Sequence, residues 1–476
     1  MKYPSLSAWM ASTVGIVSLV VISACGGSTD GDVGSGGTGM TAGTVLGTVN
    51  GFGSVFVDGQ RYDDSRVPTL RENAPGVEVQ TEARLGDSVE VEYSTAGVAA
   101  RLHVNAAVSG EVASVGAPGS FTVLGQSVAT NADPTLGPVT QFGGGYSNAA
   151  SVAAGDAVEV HGVLVKQGST YTVRATRVQH LAALPPYLKV TGLVSALGNN
   201  SFKLAGLQVD ASAAMLLPLG GHLADGEMVA VLALPSALSA TTGSTPRLAA
   251  AQVCIQSLGA KGAQASVSGA ISGLNTGMSS FDLGGVHVLY AGATVSPANA
   301  SLSNGRYVRV SGQVLADGSV QATAITLRDG QNEPEAELKG NVIGFDAVAK
   351  TFQVRGVAVD ANGATLESCP GGVLAEGLYV EIEGSLTATG VKAKKVHCED
   401  EPSGATVERE GTASAVDMGA TSFTLTTSGG TAVAVRWTST TYFSNVSPAT
   451  LSGQRVEVQG TLSNGVLIAQ KIAVDD

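Results

Sequence analysis

From Thr44 onward, apolar residues recur at every second position in short runs broken by turn residues. Val89-Glu90-Val91-Glu92, Val158-Glu159-Val160-His161, Val308-Arg309-Val310-Ser311 and Val456-Glu457-Val458-Gln459 alternate strictly. A period of two gives a strand one face for a core and one for water. Asp58-Gly59 and Asp317-Gly318 lie between such runs, the strongest short-range sign of a hairpin. The pattern predicts an all-β chain.

The runs also repeat as a set. Each unit opens with an alternating segment around a glycine: Gly47, Gly110, Gly192, Gly269, Gly340 and Gly411, spaced 63 to 82 residues apart. About ten residues on, one aromatic heads a second strand: Phe56, Phe121, Phe202, Phe281, Phe352 and Phe423. A third apolar stretch follows, then a small-residue segment ending in glycine and another residue, as at Gly86-Asp87, Gly226-Glu227 and Gly453-Gln454. An alternating fourth strand and a fifth close the unit, as in Val320-Gln321-Ala322-Thr323-Ala324-Ile325.

The chain thus divides into a segment 1–24, a Gly-rich tether 25–43, and six modules at 44–106, 107–184, 185–260, 261–333, 334–402 and 403–476. Five strands in so few residues suffice for a small closed barrel, which leaves no open sheet edge. The strand order, with a short helix or turn between strands three and four, resembles an OB-like barrel. A small β-sandwich is the alternative, because periodicity does not encode strand pairing. Cores this small favour packing between neighbours. The joins are short (Asn105-Ala106-Ala107, His180 through Leu188, Asp329 through Pro334, Glu399 through Pro402), so the modules are expected to follow one another as a semi-rigid rod.

The N-terminus reads differently. Lys2, an apolar stretch from Ala11 to Ile22, and small residues before Cys25 have the layout of a secretory signal, too short to cross a bilayer of roughly 30 Å. Ile22-Ser23-Ala24-Cys25 resembles a bacterial lipobox. The resemblance implies cleavage before Cys25 and a diacylated thiol with an acylated amine, which would anchor the chain where one lipid would not. With Gly26 rather than Asp next, it also implies delivery to the outer membrane of a double-membraned bacterium, on the periplasmic face or the cell surface. Gly34-Ser35-Gly36-Gly37-Thr38-Gly39 matches the dinucleotide fingerprint only formally. It lies in a flexible Gly-rich stretch, not between a strand and a helix.

Composition narrows the function. Charged residues make up 14% of the chain and glycine 63 of 476 positions, a turn-rich β composition. Losing residues 1–24 takes the net charge from −13 to −14. The basic residues are scattered, and the densest run, Lys392-Ala393-Lys394-Lys395, precedes Glu399-Asp400-Glu401. Nucleic acid is therefore not expected as a partner, since phosphate neutralisation needs clustered cations.

The Gly-opened strand, the Phe of strand two and the glycine leading into strand four resemble the bacterial module catalogued as domain of unknown function 5666. Val49-Asn50-Gly51-Phe52-Gly53-Ser54-Val55-Phe56-Val57-Asp58-Gly59 carries the likeness best, and it extends over about 44–475. Modules three and six, with extra residues at Pro235–Pro246 and Thr426–Thr431, fit least well. The resemblance implies export and a barrel-like module. It supplies no catalytic residue.

The remaining chemistry is sparse. Cys369 and Cys398 fall in one module of an oxidising compartment, so a disulfide is expected; a metal site of Cys369, His397 and Cys398 is the alternative, though adjacent strand residues point to opposite faces. Cys254 is left unpaired and buried, or free to link two chains. His103, His161, His180, His222, His287 and His397 form no ligand-spaced cluster and read as surface or barrel-end residues. Asp63-Asp64 beside Arg61 reads as a solvated turn or a weak cation site. No carboxylate pair in an apolar setting stands out, and no nucleophile elbow or phosphate loop is present. The one mature tryptophan, Trp437, and Tyr62, Tyr146, Tyr187 and Tyr307 form no evident stacking platform. No cofactor, metal or catalytic residue is expected. The sequence points to a lipid-anchored, non-enzymatic scaffold or interaction rod that engages an envelope protein. A protein binding a glycan or small ligand between modules is the alternative, and an enzyme with an interdomain site comes third.

Overall fold

A computed structural model describes residues 43–474 apart from 96, 169, 241–243, 329–335, 400–405, 428–429, 431 and 464–465. The segment 1–24, Cys25 with nearly all of its tether, and most of the two acidic joins lie outside the described residues. Among the described residues no helix is long and apolar enough to cross a membrane.

Module four shows how the alternating pattern closes. Its first strand (Gln264–Asn275) pairs antiparallel with the second (Ser280–Leu283), which pairs with the third (Val286–Leu289). The third runs parallel to the fifth (Val320–Leu327). The fifth pairs with the fourth (Tyr307–Val314), and the fourth returns to the first. The ring is therefore first–second–third–fifth–fourth–first, a closed OB-like barrel rather than a sandwich. Module two follows the same circuit, as do module five and module six. Module three closes likewise, with the Pro235–Pro246 insertion between its fourth and fifth strands and the fifth split at Ala250-Ala251 into Arg247–Ala249 and Gln252–Ile255. Module one adds a hairpin of Thr69–Ala74 and Val77–Gln80 between its third and fourth strands.

The alternation places one face of each strand in a core. Phe56, Phe121, Phe202, Phe281, Phe352 and Phe423 are all buried. The fourth strand of four barrels carries a glycine at a register shift: Gly162, Gly312, Gly384 and Gly460. A Cβ at these positions would stand 2.1–2.4 Å from a carbonyl oxygen of the fifth strand. The bulge thus requires glycine, and it tightens the bend that closes the barrel. A sixth short strand escaped the periodicity. Segments such as Gln141–Gly143, Thr294–Ser296 and Thr365–Glu367 pair parallel with the end of the fifth strand. Three residues are too few to show a period.

The barrels are not strung as the expected rod. Barrel 1 touches four others. Gly43–Leu46 runs parallel to Gln264–Val267 of barrel 4, and Gly51-Phe52 runs parallel to Glu337-Leu338 of barrel 5. Gly51 is obligatory there, since a Cβ would lie 1.9 Å from the Glu337 carbonyl oxygen. The glycine-rich opening of barrel 1 is therefore a docking seam as well as a strand. Barrel 2 joins barrel 1 through Thr176, whose hydroxyl donates to the Gly86 carbonyl at 2.6 Å, and Arg177, which donates to the Leu85 carbonyl at 3.0 Å. Barrel 3 joins it through Gln252, whose amide donates to Glu72 at 2.6 Å. Barrels 2 and 3 share one continuous apolar cluster. Barrel 2 also reaches barrel 5, where Phe142 N–H donates to the Ala388 carbonyl at 2.8 Å. Outer strand faces read as water-facing are instead covered by neighbouring barrels, which replaces nearest-neighbour stacking with a cluster around barrel 1.

Candidate functional site

Two junctions gather the side chains that carry chemistry. At the first, barrels 1, 2, 3 and 4 surround a cavity of about 510 Å³. Its wall takes residues from strand 1 of barrel 1, the strand-4 bulge of barrel 2, the end of barrel 3, and strand 1 and the second hairpin of barrel 4. Aliphatic side chains dominate the wall, together with backbone exposed at glycines.

A polar cluster lies behind it where barrels 1, 2 and 3 meet. Lys189, only 7% exposed, donates from Nζ to Asn105 Oδ1 at 3.2 Å. Burial pulls this lysine below its ordinary pKa against the attraction of Glu72, Glu159 and Glu90. Burial pushes Glu90 up to about 7, with Glu92 and Glu78 adding repulsion and Arg101 and Lys189 opposing. Burial, then the charges of Lys189 and Arg101, push His103 down to about 3, so its imidazole is neutral. Its Nδ1 stands 3.0 Å from Asn105 Oδ1. His161 is 1% exposed and accepts the Ser88 N–H on Nδ1 at 3.2 Å. With Nδ1 accepting, Nε2 is the ring's donor, 3.4 Å from both Asp87 and Glu159. Burial works against ionising Glu159, yet the His161 hydrogen bond and then the charges of Arg71 and Lys189 hold it at about 2.

The second junction joins barrels 5 and 6. Glu408 and Glu410 lie two apart on the first strand of barrel 6, and Glu410 pairs across to Glu457 on the fourth. One carboxylate oxygen from each lies within 4.8 Å of the others. Oxygen donors in such a group suit a hard divalent cation. Arg355, from the tight turn between strands two and three of barrel 5, already meets this need. Its Nη2 contacts Glu408 and lies 3.1 Å from Glu457, and its guanidinium lies 5.8 Å from the Phe52 ring centroid of barrel 1. Burial raises Glu408 well above the ordinary carboxylate value, with Glu457 and Glu410 adding to it and Arg355 opposing. Burial also opposes ionisation of Glu457, but Arg355 and Lys471 lower it. The group is an ion-paired joint neutralised from within.

Several sequence expectations change. The Glu408–Glu457 pair is a buried carboxylate pair that the sequence did not disclose. Glu337 beside Glu381 is a second, with Glu337 pushed to about 7 by burial and then by Glu381. His103 and His161 are buried at barrel seams and are not surface groups, because barrels 1 and 2 press strand faces together. His222 is exposed, and His287 and His397 pair with Asp282 and Glu367. His180 lies 5.0 Å from the Tyr146 ring, centroid to centroid. Tyr62, Tyr307 and Trp437 are buried. Asp63 caps Ser65 N–H at 3.0 Å, as a turn residue does. Asp58 is more than a turn residue: Oδ2 accepts Thr48 N–H at 2.9 Å and Oδ1 accepts the Tyr307 hydroxyl of barrel 4 at 3.0 Å.

The cysteines complete the inventory. Cys369 and Cys398 form a disulfide, so neither is a metal ligand beside His397. Cys254, expected to be unpaired and buried, is buried but is not a free thiol. Cys25, the expected lipidation site, itself lies outside them.

The family model described as Domain of unknown function (DUF5666) matches residues 109–179, 268–326, 339–397 and 410–473, more than half of the chain. The chain belongs to this family. Each match starts one residue before an opening glycine (Gly110, Gly269, Gly340, Gly411) and ends in the fifth strand, so one match is one barrel. Barrel 6 is matched although its likeness looked weak, and barrel 1 is not matched although its likeness looked best. Barrel 1 differs from the matched barrels by its added hairpin and barrel 3 by its split fifth strand. A comparison with curated proteins gives no match.

Proposed function

We propose that the mature chain is a lipid-anchored, non-enzymatic scaffold of the bacterial cell envelope, held at the outer membrane through Cys25. The observation that carries the reading is the convergence on barrel 1. Main-chain pairing to barrels 4 and 5 and side-chain ties to barrels 2 and 3 favour one presenting body over independent beads. The buried charges support it too. Lys189, Glu72, Glu90, Glu408, Glu457 and Arg355 are engaged with groups on neighbouring barrels, as structural ties would be.

Crosslinking in intact cells tests this, using the lipidated chain tagged after Asp476 and mass spectrometry of what it retains. Enrichment of one envelope protein complex is expected, weakened by substitutions on the outer barrel faces. Recovery of polysaccharide alone would overturn the scaffold reading in favour of glycan binding.

A further inference from the structure

The junction cavity is a formed space rather than a loose seam. Its volume of about 510 Å³ falls within the range of small-molecule sites, roughly 300–1,000 Å³. Four barrels must be in place to make it. Leu46, Leu164, Met228, Ile255, Val267 and Val286 supply an aliphatic wall, and no aromatic ring lines the cavity. This disfavours a flat ring or a stacked sugar.

Charge narrows the class further. No Lys, Arg or His lines the cavity. Its two acids, Glu227 and Asp317, cap local turns: Glu227 accepts Ala224 N–H at 2.8 Å, and Asp317 accepts Ser319 N–H at 3.0 Å. An anionic head group would find repulsion and no counter-ion, while a cation would have to displace those caps. Polar recognition falls to Asn105. Lys189 only donates, so the Asn105 atom that it reaches is the carbonyl oxygen, which His103 Nδ1 also approaches. The carbonyl is thus engaged, and the amide NH₂ is the donor left for a ligand.

We infer that this four-barrel cavity binds an uncharged lipid-like ligand, with an aliphatic chain along the Leu46–Leu164–Val286 wall and an ester-type acceptor at Asn105. This goes beyond the scaffold reading and does not depend on it.

The test uses residues 25–476, exported with a non-lipidating signal so that disulfides form, and titrated calorimetrically with 1-monolauroylglycerol below its aggregation threshold. Saturable binding of one molecule per chain is expected, with laurate at pH 8 at least tenfold weaker. Leu164→Trp, filling the cavity from barrel 2, should weaken binding at least tenfold, and Asn105→Leu should weaken it several-fold. Should Leu164→Trp fail to fold by circular dichroism, Val286→Phe fills the cavity from barrel 4 and is held to the same criterion. No saturation, equal affinity for laurate, or undiminished binding in the folded filled variant overturns the inference.

Discussion

Arg355 is the side chain on which the joint of barrels 5 and 6 most depends. Arg355→Met keeps an unbranched stem at a backbone position of φ +52° and removes only the guanidinium. What remains is Glu408, 7% exposed, facing Glu457 and Glu410 with no counter-charge from barrel 5. Breaking a buried ion pair by deleting one partner costs about 3–5 kcal/mol, because the other charge stays buried and unpaired. Without Arg355 both Glu408 and Glu457 should titrate above the ordinary carboxylate value. A group whose folded pKa is raised contributes its stability at low pH and loses it as pH rises through that pKa. The penalty should therefore be near its full size at pH 8 and fall to about 1–2 kcal/mol at pH 5, where both carboxyls can take up protons. Differential scanning calorimetry at the two pH values reads the effect, and hydrogen exchange assigns the transition to barrel 6, since a chain of several barrels need not unfold in two states. For a domain of this size about 1 kcal/mol corresponds to 4–8 °C, so the barrel 6 transition should fall by more than about 12 °C at pH 8. Adding Glu408→Gln and Glu457→Gln should restore most of the loss. A shift below about 4 °C, or one equal at both pH values, would refute the reasoning.

Other parts of the structure make comparable predictions. Glu90, pushed to about 7, weakens the fold as pH rises from the ordinary carboxylate value through 7, so Glu90→Gln should flatten the stability profile there, by at most about 3 kcal/mol in urea melts. His103, held at about 3, weakens it as pH falls below the ordinary histidine value, so acid unfolding should begin at barrel 1 by hydrogen exchange. Cys369→Ser with Cys398→Ser opens a loop spanning a sequence separation of 29, which should cost barrel 5 about 3–4 kcal/mol in calorimetry and spare barrel 4. Gly51→Val should break the barrel 1–barrel 5 pairing, read as protease sensitivity at the seam while barrel 5 keeps its own melting transition.

The fold was legible where the chain obeys one period. Strict alternation located the fourth strands, and six phenylalanines marked six cores, because a barrel interior accepts one residue in two. Ring closure was not legible, since the parallel pairing of Val288 with Val320 joins residues that no local pattern relates. The seams were hidden for a sharper reason. Glu90, Glu159, His161 and Glu457 occupy the polar phase of alternating strands, exactly as water-facing residues do. Only the neighbouring barrel reveals that their polarity is matched by Lys189, Asp87 or Arg355. Gly51 sent a signal that was read as a family signature, when its immediate demand is the close approach of Glu337.

Small-angle X-ray scattering of residues 25–476 tests the central claim, that barrel 1 gathers the others into one body. A compact chain of this length has a radius of gyration of about 22 Å, and clustered barrels with a short tether should give no more than about 28 Å. A value above about 40 Å, as a string of six barrels touching only their neighbours would give, would contradict the account.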